Sequence, residues 1–421
     1  MSWVETKLGE CIEFSNGYAF KSKFFTENEN DIPLIKGENL GKGEVLWEKS
    51  KYWKVENLNG LERFLLNAGD IVLAMDRPYV GGSLKYAMIK TSDPKSLQVQ
   101  RIGRLVAKQS VINEKFLRCV ISSDSFKNYV KNIQGGVGVP HISPSQIKNY
   151  EFEIPPLSTQ KRLADILSVY DDLIENNLKR ITLLEQAAQN IYKEWFVKLR
   201  FPGHENTPIN EETGLPVGWS MKRLDEIYEF KNGFAFYTKG YSEEETPYVV
   251  VDLGNISESG DFVLSGKEKY ISESLYQEKE GYYLKKYDIV VAMTDMTARL
   301  GILAKVGIID ENDKYVLNQR VGRLRSKVEY IDYCYINASL SDERFISEMH
   351  QRSKGAVQKY FNTKDIVQYM VTTPTKSIVE QFNLIYRPII ENRIVLKFQN
   401  QKLKAARSIL LPRLMNRTIE L

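Results

Sequence analysis

Apolar residues recur at steps of three and four along residues 161–198: Leu163, Ile166, Tyr170, Ile174, Leu178, Ile181, Leu184, Ala188, Ile191 and Trp195. That spacing keeps one face of an α-helix apolar, and the stretch contains no Gly or Pro. Pro155-Pro156 ends the preceding element, and Ser158 or Thr159 offers an N-cap. A second stripe runs through Ile378, Phe382, Ile385, Ile389, Asn392, Leu396, Gln399, Leu403, Ala406 and Leu410. Its alternation of four and three is a heptad seam, in which Asn392 would fix register at a cost in stability. Pro388 lies inside this stripe and is expected to kink or restart the helix. Two such helices in one chain most simply pack on each other. Antiparallel pairing of about forty residues at ~1.5 Å each predicts a rod of ~60 Å with a domain at either end and an internal pseudo-twofold axis. The other reading packs each helix only on its own domain; stripes longer than an ordinary helix favour the pair.

Outside the stripes the pattern changes. Ile32-Pro33-Leu34-Ile35, Ile71-Val72-Leu73-Ala74-Met75 and Tyr248-Val249-Val250-Val251 are short apolar runs between turn residues, the signature of buried strands. Glycines at Gly81-Gly82 and Gly135-Gly136-Val137-Gly138 mark turns, and helices are expected over 113–130 and 331–350. The predicted class is α+β. Two β-rich domains, 1–156 and 201–373, are each followed by a long helix, 157–200 and 374–421.

The two halves are copies of one another. The stretch WVETKLGECIEFSNGYAF from Trp3 returns as WSMKRLDEIYEFKNGFAF from Trp219. The pairs Trp3/Trp219, Leu8/Leu224, Glu10/Glu226, Glu13/Glu229, Phe14/Phe230, Asn16/Asn232, Gly17/Gly233, Ala19/Ala235 and Phe20/Phe236 are identical. Asp70-Ile71-Val72-Leu73-Ala74-Met75 returns as Asp288-Ile289-Val290-Val291-Ala292-Met293, and Gln100-Arg101-Ile102-Gly103-Arg104-Leu105 as Gln319-Arg320-Val321-Gly322-Arg323-Leu324. A repeat this long is no solenoid unit; it is a duplicated domain. Phe14/Phe230 and Phe20/Phe236 are expected in the cores, with Gly17/Gly233 turning the chain between strands.

Composition narrows the function. A 421-residue chain with 43% hydrophobic residues supports real cores. No apolar run has the length of a membrane span and the start of the chain carries no apolar targeting segment, so a soluble cytoplasmic protein without a membrane partner is expected. Cys11, Cys119 and Cys334 are scattered among apolar residues, which suits buried free thiols. A net charge of +4 permits a nucleic-acid partner without demanding one.

Catalytic signatures are missing. His141, His204 and His350 form no metal-ligand motif, so no metal is expected. Gly37-Glu38-Asn39-Leu40-Gly41-Lys42 lacks the spacing and the Ser or Thr of a phosphate loop. Pro140 interrupts Gly136-Val137-Gly138 where a dinucleotide-binding helix would open. Asp70, Asp76, Asp93 and Lys95 loosely match the carboxylate–lysine sets of metal-dependent nucleases, and a single-chain nuclease stays open as an alternative. A shared solvent-facing turn is the simpler reading, because Asn312-Asp313-Lys314 stands in the same place in the second copy. The chain reads as a binder with no catalytic residues.

Two similar domains on a rod make a caliper, and DNA returns the same groove face every ~34 Å. The first domain offers Lys21, Lys23, Lys36, Arg77, Tyr79, Lys85, Arg101, Gln134 and His141; the second offers Lys239, Thr294, Arg299, Gln319, Arg320, Lys354, Gln358 and Lys359. Lys and Arg can neutralise phosphates or pair with guanine, and Gln can pair with adenine. Arg101, Arg104, Arg320 and Arg323 sit on strand-like stretches and fit a structural role equally well. A scaffold that binds only proteins is the third reading; steep weakening of DNA binding by salt would exclude it.

The layout resembles the specificity subunit of Type I restriction-modification enzymes. The resemblance rests on the opening Trp-x4-Leu-x-Glu, Phe-x-Asn-Gly-Tyr/Phe-Ala-Phe, Gly69-Asp70-Ile71-Val72, the Gly135-Gly136 loop, and Ile154-Pro155-Pro156-Leu157-Ser158-Thr159-Gln160-Lys161 leading into a long helix. It covers essentially the whole chain. It implies that each globular domain is a target-recognition domain reading one half of a bipartite, asymmetric DNA site. The paired helices would set the gap between half-sites and dock the modification subunits, which bring S-adenosylmethionine and methylate adenine. A separate restriction subunit would bring the ATP- and Mg-dependent motor and nuclease. This chain itself would hold no cofactor. Val371-Thr372-Thr373-Pro374-Thr375-Lys376 departs from the Ile-Pro-Pro-Leu-Ser form at the start of the second helix.

Overall fold

The computed structural model describes residues 3–47, 50–80, 83–134, 139–264, 268–296, 300–356 and 358–419. The glycine turns at 81–82 and 135–138 and candidate Arg299 lie outside these. The chain divides into two compact units, 1–176 with 400–421, and 177–399. Each long helix is therefore shared between units.

In the first unit a five-stranded sheet runs in the order Ile12–Asn16, Ile102–Ala107, Ile71–Ala74, Tyr86–Met88, Lys42–Gly43. Its neighbours are antiparallel except the last pair. Alternate residues of the central strand enter different cores. Ile71, Leu73 and Met75 join Phe116, Leu117 and Phe126, while Val72 and Ala74 join Ile35, Ala87 and Ile102. Burial on both faces explains the unbroken apolar run. A three-stranded sheet of Leu97–Gln98, Ile32–Ile35 and Lys51–Trp53 flanks it.

The second unit repeats this plan. Its four-stranded sheet runs Tyr228–Asn232, Val321–Ser326, Ile289–Ala292, Val306–Ile308. The register is conserved between copies: Leu105 faces Ile71 and Phe14, and Leu324 faces Ile289 and Phe230. A second four-stranded sheet is built on Val249–Val251.

The shared motif has a packing reason. A Cβ on Gly17 would lie 2.2 Å from the Val99 carbonyl oxygen, and one on Gly233 2.0 Å from that of Asn318. These glycines serve close backbone approach, not the expected turn; neither has a positive φ. Phe14 and Phe230 are partly buried, and each ring occupies the space that a side chain on Gly103 or Gly322 would need.

The helices expected over 113–130 and 331–350 are each broken in two. Glu114–Ser122 is followed by Asp124–Ile133, and Tyr333–Ser341 by Glu343–Arg352. Ser123 and Asp342 adopt extended backbone and cap the second helix of each pair, accepting from the Phe126 and Arg344 amides respectively. A good cap inside a helical stripe ends one helix and starts another.

The long helices span Leu157–Tyr192 and Lys376–Met415. In the first unit they pack antiparallel: Leu163 and Leu167 share a core with Leu411 and Leu414, and Asp171 pairs with Arg407 at 2.9 Å. In the second unit Tyr192, Trp195 and Phe196 surround the Phe382 ring, and Glu185 pairs with Arg393 at 2.8 Å. The helix does not restart at Pro388. Pro388 and Leu384, whose carbonyl loses its amide partner, are both exposed, so that carbonyl can be hydrated.

The seam of the second helix shifts by one residue from the expected heptad. Ile378, Phe382 and Leu396 are buried and Ile389, Leu403 and Leu410 partly so, but Ile385 is 45% exposed and Tyr386 takes its place. Tyr386 is held there by its hydroxyl, which donates to Asn337 Oδ1 at 2.9 Å. Asn392 is likewise exposed; the buried asparagines of this helix are Asn383 and Asn400, and the Asn400 amide donates to the Ile174 carbonyl at 3.4 Å. A straight helix of 3.6 residues per turn drifts off a strict seven-residue repeat. In the first helix Leu163 and Ile181 are buried, Ile166, Tyr170, Ile174, Leu184 and Ile191 partly so, and Leu178 is exposed while Asn177 is buried.

Candidate nucleic-acid interface

In the first unit the basic candidates gather where the central strand Ile71–Ala74 ends. The Met75 amide donates to the Arg101 carbonyl (2.8 Å), the Arg77 amide to the Pro140 carbonyl (2.6 Å), and Asp76 bridges His141. Lys85 Nζ donates to the Gly37 carbonyl at 3.3 Å. Arg77 and Arg101 both have positive φ, 45° and 70°. A non-glycine residue adopts that conformation only where its surroundings impose it, often at functional sites. Arg77, Arg101 and His141 are exposed.

The other first-domain candidates stand apart from this cluster. Lys21 precedes the exposed turn Ser22–Phe24 and Lys23 lies within it, 4.9 Å over the Phe24 ring. Lys36 is engaged by Glu38 and lies 5.7 Å over the Phe25 ring. Tyr79 is half-buried in the short strand Tyr79–Val80, and Gln134 caps the helix Asp124–Ile133.

In the second unit the same strand end is built differently. The Met293 amide donates to the Arg320 carbonyl at 3.0 Å, matching Met75 and Arg101. The strand Thr294–Asp295 then pairs with Lys359–Tyr360, which Lys354 bridges in turn. Thr294, Lys354, Lys359 and Arg320 are thus brought together. Thr294 is only 7% exposed within the ladder, so its hydroxyl is not presented to a groove as expected. The Gln358 carbonyl crowds Gly355, whose φ is +92°. Gln319 is exposed beside Phe234, and Lys239 occupies the turn Thr238–Gly240, the counterpart of Lys23. Sequence reading missed Tyr18 and Tyr237, which are exposed aromatics at the paired motif; their place beside the repeated Phe20 and Phe236 was the available signal.

The nuclease-like set does not assemble. Asp70 and Asp76 flank opposite ends of one strand, ~20 Å apart at ~3.3 Å per residue. Asp70 is buried against Arg104 at 2.8 Å and accepts from the Asn67 amide. Burial pushes its carboxyl above the ordinary range, opposed by those two partners. Asp93 accepts from the Lys90 amide and the Trp47 indole, closing its own turn. Arg323 is buried, Arg104 is partly buried, and both are ion-paired, which suits a structural role. Among the described residues no helix is long and apolar enough to cross a membrane.

A duplicated sheet carries basic residues at the same strand end in both copies, and comparison with known proteins shows the family. The family described as Type I restriction modification DNA specificity domain matches residues 1–186 and 216–391. The chain belongs to that family. It is 28% identical over 430 residues to the Type I restriction enzyme MjaIX specificity subunit of Methanocaldococcus jannaschii, covering 98% of this chain and 92% of that one. It is 32% identical to the MjaVIII specificity subunit of the same organism over 189 residues, 45% of this chain and 44% of that one. Among solved structures it resembles the Type I restriction-modification S subunit from M. genitalium, with a TM-score of 0.60 and 14% identity over 99% of this chain and 96% of that one. At that identity the likeness is one of fold.

Proposed function

We propose that this chain is the DNA-reading subunit of a Type I restriction-modification complex and performs no covalent chemistry itself. Each globular domain reads one half of a bipartite, asymmetric site in double-stranded DNA. The observation that carries the reading is the duplicated sheet, with cations after the same strand in both copies: exposed Arg77 and Arg101 after Met75, half-buried Arg320 and exposed Lys354 around Met293. Lys and Arg fix the phosphates, and a few side chains read base edges in a groove. The paired helices set the gap between half-sites and carry the modification subunits. Those subunits supply S-adenosylmethionine for adenine methylation, and a restriction subunit supplies ATP- and Mg-dependent translocation and cleavage. The complex works in the cytoplasm, where its DNA lies.

Methylation mapping tests this. The chain is co-expressed with a cognate modification subunit in a methyl-free host, and the genome is sequenced for modified adenines. A split, asymmetric motif that requires this chain is expected. A stable complex that leaves no motif would overturn the reading.

A further inference from the structure

Resting on that reading, we propose that Arg101 reads a guanine in the half-site of the first domain, and that Asp76 is its positioning residue. Arg101 Nε lies 3.7 Å from Asp76 Oδ2, with the two side chains 59% and 39% exposed. The carboxylate holds the inner edge of the guanidinium. The two terminal nitrogens have no hydrogen-bond partner among the described residues, and such a pair of donors on a 59% exposed side chain can match guanine O6 and N7. The carboxylate also argues for a base over the backbone: Asp76 lowers the net positive charge beside Arg101 and itself repels phosphate.

Both backbones are anchored where they stand. Arg101 keeps φ +70° while its carbonyl accepts from the Met75 amide at 2.8 Å, and Asp76 is bridged to His141. The site is therefore preformed on the rim of a buried sheet. The second domain lacks it. Arg320 places Nη1 2.6 Å from Met296 Sδ, and the position of Asp76 holds the buried Thr294. No carboxylate pairs with Arg320 among the described residues, which suits a phosphate contact.

The test is the methylation map of variants in the assembled enzyme. Arg101→Gln is expected to relax one guanine in one half-site, lowering discrimination there roughly 5- to 150-fold, the range of one bidentate base contact. Asp76→Ala should relax the same position, and the double variant should do no more than Arg101→Gln alone. The half-site of the second domain, unchanged in every variant, reports that the protein is folded. Arg320→Gln should lower methylation without relaxing any base. The inference is overturned if Arg101→Gln keeps every base of the motif, if it lowers methylation evenly at all sites, or if the half-site of the first domain has no guanine. A wild-type protein that gives no split motif would instead overturn the reading beneath it, and this inference with it.

Discussion

The two domains solve one packing problem identically and one electrostatic problem differently. In both, a glycine after the strand Ile12–Asn16 or Tyr228–Asn232 lets the chain press against a neighbouring carbonyl, Gly17 on Val99 and Gly233 on Asn318. In both, a buried aspartate precedes the central strand. In the first domain Asp70 is met by Arg104 at 2.8 Å. In the second, Arg323 stands in the aligned position but turns to Glu229, and Asp288 is met by Arg325 through two bonds of 2.5 and 2.6 Å. A position where a Cβ would lie 2.0–2.2 Å from a backbone carbonyl oxygen admits no substitute for glycine. A buried carboxylate needs only some cation within reach, so its partner can move along the strand.

Aligned arginines should therefore respond unequally. Arg104→Met leaves Asp70 buried with one amide donor, and should cost about 3–5 kcal/mol, the penalty for breaking a buried pair. Arg323→Met keeps both hydrogen bonds of the Asp288–Arg325 pair and leaves unpaired only the solvated Glu229, so a smaller loss of about 1 kcal/mol is expected. Urea titration of both variants checks this; equal losses would remove the distinction. Aligned glycines should respond alike. Gly17→Ala and Gly233→Ala are each expected to cost ~1–3 kcal/mol or more, as overpacking does, read as a matched drop in denaturation midpoint. Smaller still, Ser123→Ala and Asp342→Ala remove matching caps and should cost ~1 kcal/mol each by the same titration.

The duplication and both long helices were legible in the sequence because identity and a three-four stripe report them directly. The seam register was not. A heptad count selects Ile385 and Asn392, whereas the folded helix buries Tyr386 and Asn400, because a small angular drift per turn accumulates past Phe382. The breaks at Ser123 and Asp342 were hidden because capping residues sat among residues that continue the stripe. Among the candidate contacts, residue type alone selected Arg77 and Arg101, which are exposed, and also Thr294, whose burial depends on a strand pairing 66 residues away. The partnership of Asp76 with Arg101 follows from the sheet order, which places the two strand ends side by side.

The central claim is that one chain carries two independent readers. The most direct measurement exchanges residues 1–150 for the equivalent part of a relative with a different target, then maps methylated adenines. One half-site should change, while the other half-site and the gap between them stay as they were. A change in both half-sites, or in neither, would contradict the account.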